Sequence, residues 1–351
     1  MIVHGHLLEI IFPRHRINCK KCKYPYEPLP GAILKDHHIT KKYAQWIYEK
    51  CKTMTYKDLS KEIGLSDTFI REIDKEILSI KIQERELKKF STIGIDEIQS
   101  GHGHTYSHII TDMDNEEVLF VGDGRKSVDL APFLWAFRHK LKDIDYAVMD
   151  MWKGFIKVFR RFCPNVKIIH DHFHITKHLN EAINKLRILE YKKLAEQDRG
   201  FIKGTKWLLL SRKTSLSKKQ KYKLNALLTV NKKLLKAYLL KEDFRKLWSY
   251  KSRAWAMKFW KNWKSKLRWQ RLEPFKDFVK MVDKHLDGIM NFYDTKTHIK
   301  MGYIEGLNNK VKTLIRKHYG FRDKEYLKMK IIQVGSASLK EYVPYPWLST
   351  E

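Results

Sequence analysis

Long hydrophobic runs are absent from this sequence. No stretch reaches the roughly eighteen apolar residues of a membrane-spanning helix, which excludes a transmembrane span. The N-terminal segment also holds too short an apolar stretch for a secretory signal peptide. Only four cysteines occur in 351 residues, so a disulfide framework is excluded and we expect a protein of a reducing cytoplasm.

Acidic residues are few relative to basic ones. The chain has 40 Asp and Glu against 70 Lys and Arg, a formal net charge of +30. Such an excess indicates a polyanionic partner, usually DNA or RNA, although a solvated basic surface and attraction to anionic lipid stay open. The hydrophobic fraction of 43% is ordinary for a folded protein, and the length allows two or three domains.

The N-terminal segment contains one candidate metal-binding pair. Cys19 and Cys22 have the two-residue spacing that lets two thiolates bind one metal ion. A tetrahedral zinc site needs four ligands, and beyond this pair the segment offers only irregularly spaced histidines. A working zinc site and a half-built or lost one are both compatible with this pattern.

Residues 40–78 have the pattern of consecutive helices. Thr55 is placed to cap one helix, Gly64 ends it, and Ser66 caps the next. Three polar side chains are predicted on exposed faces of this second helix: Thr68, Arg71 and Lys75. The pattern fits a helix-turn-helix and an ordinary helical hairpin equally well, and the basic chain favours DNA reading.

The periodicity changes after residues 79–90, a charged segment interpreted as a linker. Residues 91–170 contain three strand patterns followed by alternating helix and strand, which predicts a mixed α/β sheet covered by helices. Residues 174–300 are nearly all helical and very basic, and they hold six of the ten tryptophans. For any single tryptophan here, a core position is favoured over contact with nucleic acid.

Two aspartates stand at the ends of apolar strands. Asp96 ends the first strand pattern and Asp150 occupies the equivalent place in a later one. A carboxylate there is costly unless positive charge lies beside it. Turn capping or a lysine partner explains one such residue more easily than two, whereas two strand-end carboxylates in one sheet can share a hard cation such as Mg²⁺.

Glu305 opens a helix whose apolar and polar faces separate cleanly. Its polar side also carries Asn308, Asn309, Lys312 and Arg316, and a carboxylate followed by amides and cations suits a helix lying along a phosphate backbone near a metal. Taken alone, Glu305 is a first-turn glutamate favoured by the helix dipole. Three carboxylates so placed permit two-metal catalysis, and carboxylates prefer Mg²⁺ or Mn²⁺ where histidine or cysteine would favour zinc.

Asp171 and His174 follow the last strand pattern. They could bind a metal, support its ligands or contact phosphate, and a helix-capping aspartate beside a surface histidine is the ordinary alternative. We favour a structural role, or one of holding the metal ligands in place.

Four blocks occur in a fixed order along the chain. They are Ile93–Glu97, Asp150–Gly154, Asp171–His174 followed by Lys177, and Tyr303–Arg322. Together they resemble the ISL3 family of bacterial insertion-sequence transposases, over about residues 15 to 335. The block from Glu305 to Arg322 is the most specific of the four.

This resemblance implies an RNase H-like catalytic core with an Asp-Asp-Glu triad at Asp96, Asp150 and Glu305, holding two Mg²⁺ or Mn²⁺ ions. We therefore expect an α/β fold, an RNase H-like mixed sheet with a large helical insertion, preceded by a small helix-turn-helix region. The predicted segments are a zinc-knuckle-like remnant (1–38), the helix-turn-helix and linker (39–90), the first part of the core (91–173), the basic helical insertion (174–300), and the final core helices with the tail (301–351).

The implied function is that of an insertion-sequence transposase, which cleaves element ends and transfers strands into target DNA. Its partners would be double-stranded DNA, as terminal inverted repeats and as target, and further copies of itself on DNA. Thr68 and Arg71 would read DNA, while Lys310, Lys312 and Arg316 would contact phosphates. A nuclease of the same fold and a catalytically inactive DNA-binding derivative are the alternatives. Only Cys19 and Cys22 match the family's N-terminal zinc region, which we interpret as a shortened copy.

Overall fold

The structure is a computed structural model. It describes residues 2–3, 6–7, 17–18, 20–22, 25–26, 33–34, 37–101, 105–124, 126–193, 200, 202–295 and 299–340. These residues group into two units. Unit 1 comprises the described residues of Met1–Lys88, Glu116–Val121 and Leu307–Glu351, and unit 2 those of Lys89–Asn115 and Gly122–Gly306. Within the described chain, no helix is long and apolar enough to cross a membrane.

The N-terminal segment contains two short antiparallel strand pairs. Strand β1 (Ile2–Val3) pairs with β2 (His6–Leu7), and β3 (Ile17–Asn18) pairs with β4 (Pro25–Tyr26). Cys22 is exposed, and Cys19 lies outside the described residues. The zinc site therefore stays a prediction.

Three helices follow, and their boundaries confirm the predicted capping residues. They are α1 (Lys41–Thr53), α2 (Tyr56–Ile63) and α3 (Asp67–Glu84). The Thr55 hydroxyl accepts a hydrogen bond from the second helix, Gly64 ends that helix at φ 73°, and the Ser66 hydroxyl caps the third. Buried Ala44, Ile47, Leu59, Ile70 and Ile73 form the core that the three helices share.

Helix α3 is longer than the sequence pattern predicts. It runs to Glu84, so the linker predicted over residues 79–90 is wrong for its first six residues. No glycine or proline interrupts this stretch, and its Lys, Gln and Glu residues are good helix formers. Their charge indicated an exposed segment but did not exclude a helix.

The predicted mixed sheet is present. The strands, listed with the two helices between them, are β5 (Thr92–Gln99), β6 (Tyr106–Asp112), β7 (Glu117–Asp123), α4 (Ala131–Ala136), β8 (Tyr146–Met149), α5 (Lys153–Phe162) and β9 (Lys167–His170). The spatial order is β7-β6-β5-β8-β9. Strands β5, β6, β8 and β9 belong to unit 2, and Glu117–Val121 of β7 belong to unit 1. Strand β5 is antiparallel to β6 and parallel to β8, which is parallel to β9. The α/β class is confirmed. Between β7 and β8, α4 is short and has 3-10 turns on both sides.

The segment after the sheet is helical, as predicted. It contains α6 (His172–Lys193), α7 (Lys206–Leu210), α8 (Lys218–Val230), α9 (Lys232–Phe244), α10 (Arg253–Ser265), α11 (Glu273–Lys284) and α12 (Leu286–Met290). Trp260 and Trp263 stack on each other in its core, with ring centroids 5.4 Å apart. Trp207, Trp255 and Trp269 are exposed, so the tryptophans divide between core and surface.

The last helices are α13 (Gly302–Lys317), α14 (Lys324–Gly335) and α15 (Ala337–Lys340). Gly320, at φ 92°, lies between the first two, and its amide donates to the Ile315 carbonyl of α13 at 2.8 Å. The apolar face of α13 buries Leu307 and Val311, while Glu305, Lys312 and Arg316 are exposed.

A buried ion pair joins α3 to α14 in unit 1. The Asp74 carboxylate lies 3.1 Å from Lys330 Nζ, and both side chains are at most 2% exposed. The Tyr326 hydroxyl donates to the same carboxylate, and Lys330 also donates to the Cys51 carbonyl. At the surface, Lys75 pairs with Asp323 at 2.5 Å. Lys75 is partly exposed there, as its predicted place on an exposed face requires, and its ammonium has a carboxylate partner.

We expect Asp74→Ala to destabilise the protein by about 3–5 kcal/mol, because it leaves the Lys330 ammonium buried without its counter-charge. Chemical denaturation measures this. The matched control is Glu325→Ala on the same α14, since Glu325 pairs with Lys328 at the surface and should lose at most about 1 kcal/mol. If the two substitutions lower the free energy of unfolding equally, the buried pair contributes no more to stability than the surface pair does.

Candidate active site

Strand register brings three aspartates together at one edge of the sheet. Ile95 of β5 is paired with Met149 of β8, which is in turn paired with His170 of β9. Because these three strands are parallel, the residues that come next lie side by side, where β8 and β9 end and β5 continues to Gln99. Those residues are Asp96, Asp150 and Asp171.

One histidine side chain lies among the three carboxylates. His174 is on the first turn of α6, and its Nε2 lies 3.5 Å from Asp96 Oδ1. Its Nδ1 lies 3.4 Å from Asp150 Oδ2, and its Nε2 is 4.0 Å from Asp171 Oδ2. The structure thus gathers both predicted strand-end ligands with the two residues predicted to support them.

Burial and like charge set the protonation preferences of this cluster. Burial raises the pKa of the Asp171 carboxyl, and the charges of Asp96 and Asp150 act in the same direction. The amide of Phe173 and the charge of His174 oppose that rise without cancelling it. Burial by itself lowers the pKa of His174, but the hydrogen bond to Asp96 and the three aspartate charges outweigh burial and raise it. The cluster therefore favours a protonated imidazole among the acids.

Asp96 and Asp150 are also fixed locally by the backbone. Asp96 Oδ1 accepts from the Glu97 amide at 2.7 Å, and Asp150 Oδ1 accepts from the Met151 amide at 2.6 Å. Each carboxylate is thus oriented by a hydrogen bond from the amide of the residue that follows it.

The start of α6 is anchored by aromatic stacking. The His172 ring stacks on Trp248 with centroids 3.6 Å apart, and it meets Phe292 edge-on at 4.3 Å. Burial lowers the pKa of His172 to about 3, so this ring is neutral and packs as an aromatic residue. Because His172 lies between Asp171 and His174, its packing fixes the turn that carries both. Sequence reasoning missed this role, since the partners come from distant segments.

Glu305 lies on the first turn of α13, and its side chain is exposed. The preceding residue, Ile304, is buried against β5. A Cβ added to Gly94 would lie only 2.6 Å from Ile304 Cδ1, so the helix approaches the strand where glycine leaves room. Gly94 is two residues before Asp96, which brings the first turn of α13 to the strand that carries the first acid.

The cluster is rich in carboxylate oxygen, the donor that Mg²⁺ and Mn²⁺ prefer. Among the described residues, however, no three His, Cys, Asp or Glu side chains already converge as a cage for a metal ion. The residues fit a divalent cation by donor type and by the adjacency of Asp96 and Asp150.

The predicted DNA contacts lie on helix surfaces of unit 1. Lys310, Lys312 and Arg316 are exposed on α13. Thr68 is exposed and Arg71 half-buried near the start of α3. No structural observation shows DNA at these five positions, and their roles stay predictions.

We expect Gly94→Ala to destabilise unit 2 by about 1–3 kcal/mol, because the added methyl overpacks against Ile304 and against Thr111 Oγ1 at 2.7 Å. Thermal unfolding measures the loss, and Ile304→Val should restore part of it. Gly306→Ala is the matched control beside Glu305, since an added Cβ meets nothing within 4 Å there. Helix propensity predicts a gain of about 0.5–1 kcal/mol for that control. Neutral behaviour of Gly94→Ala would contradict the close approach.

Comparison with known proteins shows that this chain is similar to transposases. The sequence model of one protein family, the ISL3 group of DDE transposases, matches residues 93–331. That family is described as a transposase. The transposase of insertion sequence IS1001 from Bordetella parapertussis is 26% identical over 323 residues, covering 91% of this chain and 79% of that protein. The transposase of IS1557 from Mycobacterium tuberculosis is 24% identical over 273 residues, covering 70% of this chain and 60% of that protein. The family match spans well over half of the chain, and it covers the acid cluster together with α13: this protein belongs to the ISL3 family of transposases.

Proposed function

We propose that this protein is the transposase of an insertion sequence, acting in the bacterial cytoplasm by cutting element ends and joining them to target DNA. Asp96, Asp150 and Glu305 would be the metal ligands. One observation carries the proposal. The register of β5 and β8 makes Asp96 and Asp150 neighbours, with His174 within 3.5 Å of both.

The acids fit this chemistry by position and type. When bound, divalent cations would activate the attacking water or terminal hydroxyl and stabilise the leaving oxygen. Asp96 would hold them from within β5, and Asp150 from the end of β8. Glu305 would approach from the first turn of α13, which is seated on β5 through Ile304 and Gly94.

Asp171 and His174 would hold the principal acids in position. The His174 ring contacts both carboxylates, so it sets the distance between them. Because His172 is clamped by Trp248 and Phe292, this support does not depend on the metal.

DNA would be held mainly through its phosphates. The exposed Lys310, Lys312 and Arg316 place three cations along one helix, and a chain of net charge +30 attracts polyanions at long range. Thr68 and Arg71 would contact the terminal repeats from the start of α3, with the helix-turn-helix formed by α2 and α3.

We expect Asp150→Asn to reduce cleavage of the element's own ends by at least about 100-fold, because a lost metal ligand removes several kcal/mol of transition-state stabilisation. Gel assays with Mg²⁺ or Mn²⁺ measure the rate, and a chelator should abolish it. Asp145→Asn is the matched control, since Asp145 is exposed at the opposite end of the same strand. If Asp150→Asn cleaves element ends as fast as the wild type does, the proposed catalytic role of Asp150 is wrong. Wild-type protein that cuts but never joins pre-cleaved ends would instead be a nuclease.

Glu305→Gln should cause a loss of the same order without changing the midpoint of thermal unfolding, because the side chain is exposed. Glu273→Gln is its control, a first-turn glutamate of α11 that pairs with Lys276. Equal activity of the two variants in the cleavage assay would remove Glu305 from the triad.

Arg71→Ala should weaken binding to duplexes carrying the terminal repeats by about 1–3 kcal/mol, if the start of α3 reads base edges. Fluorescence anisotropy with repeat and scrambled duplexes measures the effect. Lys75→Ala, one turn further along α3, should leave DNA affinity nearly unchanged because Asp323 already neutralises Lys75. If Arg71→Ala binds the repeats as tightly as the wild type does, the predicted role of α3 is wrong.

A further inference from the structure

A basic cleft of about 830 Å³ opens in unit 2, between α5, the edge strand β9 and the corner of α11 and α12. Six cationic side chains line it: Lys153, Lys157, Arg160, Arg161, Lys167 and Lys284. Among the described lining residues Asp287 is the one acid, and its carboxylate pairs with Arg253 at 3.3 Å. The cleft therefore carries a large uncompensated positive charge.

The cations on one wall follow from the periodicity of α5. This helix buries Phe155, Ile156 and Phe159, and the Phe155 ring meets the His108 ring of β6 edge-on at 6.3 Å. Lys157 and Arg160 fall one helical turn apart on the opposite, exposed side. Lys284 faces them from the end of α11.

The other wall is fixed to the edge strand. Asn291 donates to the Ile168 carbonyl at 2.9 Å. A Cβ on Gly288 would come within 2.4 Å of His170 Cδ2, so α12 lies directly on β9. Because both walls rest on regular elements, the cations are held around a preformed space.

The cleft begins beside the acid cluster. Lys153 lies three residues after Asp150, and His170 immediately precedes Asp171. We propose that the cleft binds a phosphodiester segment of the DNA that flanks the bond being cleaved. This inference rests on the proposed function. Lysine and arginine supply the point charges and forked donors that phosphate oxygens accept.

The test measures DNA binding without chemistry. In EDTA, fluorescence anisotropy of a labelled duplex gives the affinity of wild-type protein and of the variant Lys157→Ala, Arg160→Ala, Lys284→Ala at several salt concentrations. Three lost phosphate contacts should lower the slope of log affinity against log salt by about 2.7. Affinity near 0.1 M salt should fall about 10-fold or more.

The matched control removes the same charge from α8 through Lys218→Ala, Lys219→Ala and Lys223→Ala, all exposed and outside the cleft. A clearly larger loss of DNA affinity for the cleft variant than for the control supports the proposal. Equal losses overturn it, because they would show that only the overall charge of the protein attracts DNA. If the cleft variant fails to fold, Lys157→Gln with Arg160→Gln tests the same wall, with an expected slope change of about 1.8.

Failure of the cleft proposal and failure of the proposed function give different results. If the wild-type protein cleaves DNA and the cleft variant keeps the same salt slope, the proposal that the cleft binds DNA is wrong and the proposed function still stands. A wild-type protein that binds DNA but never cuts it would reject the transposase chemistry, while the binding comparison would still decide the cleft.

Discussion

Three carboxylates held side by side by the register of three parallel strands are the constraint on which the site in unit 2 depends. Parallel pairing of β5, β8 and β9 leaves Asp96, Asp150 and Asp171 no freedom to separate. Like charges so close are unfavourable unless a cation lies among them. His174 occupies that position in the structure, at 3.4 to 4.0 Å from all three acids.

The neighbouring elements keep that arrangement in place. Helix α6 starts at the cluster, and the stack of His172 on Trp248 ties its first turn to the helical segment that follows the sheet. Helix α13 reaches β5 because Gly94 has no side chain to hold Ile304 away. A site that must hold several acids at fixed distances gains from support by packed elements, since small displacements of such groups are costly for catalysis.

Both units divide their positive charge between internal partners and the open surface. Unit 1 uses some of its cations internally, since Lys330 is buried beside Asp74 and Lys75 is paired with Asp323. Unit 2 leaves a group of cations open in the cleft beside the acid cluster, where Asp287 is already paired with Arg253. The net charge alone therefore indicates that a polyanion is attracted. The ion pairs determine which cationic side chains are available to contact it.

The sequence by itself determined the local features of this protein. The helix caps at Thr55 and Ser66, the helix end at Gly64 and the change from helical to strand periodicity all depend on near neighbours in the sequence. The structure confirms each of them. The four ordered motifs also predicted the transposase family correctly.

Only the tertiary structure decided what depends on distant contacts. Strand register made Asp171 the third member of a row with Asp96 and Asp150, which spacing along the chain cannot reveal. The length of α3 was missed because charged residues are compatible with helix as well as with linker. The partners of Lys75 and His172 come from segments far away in sequence. Such pairings depend on which surfaces meet after folding, and no local pattern records them.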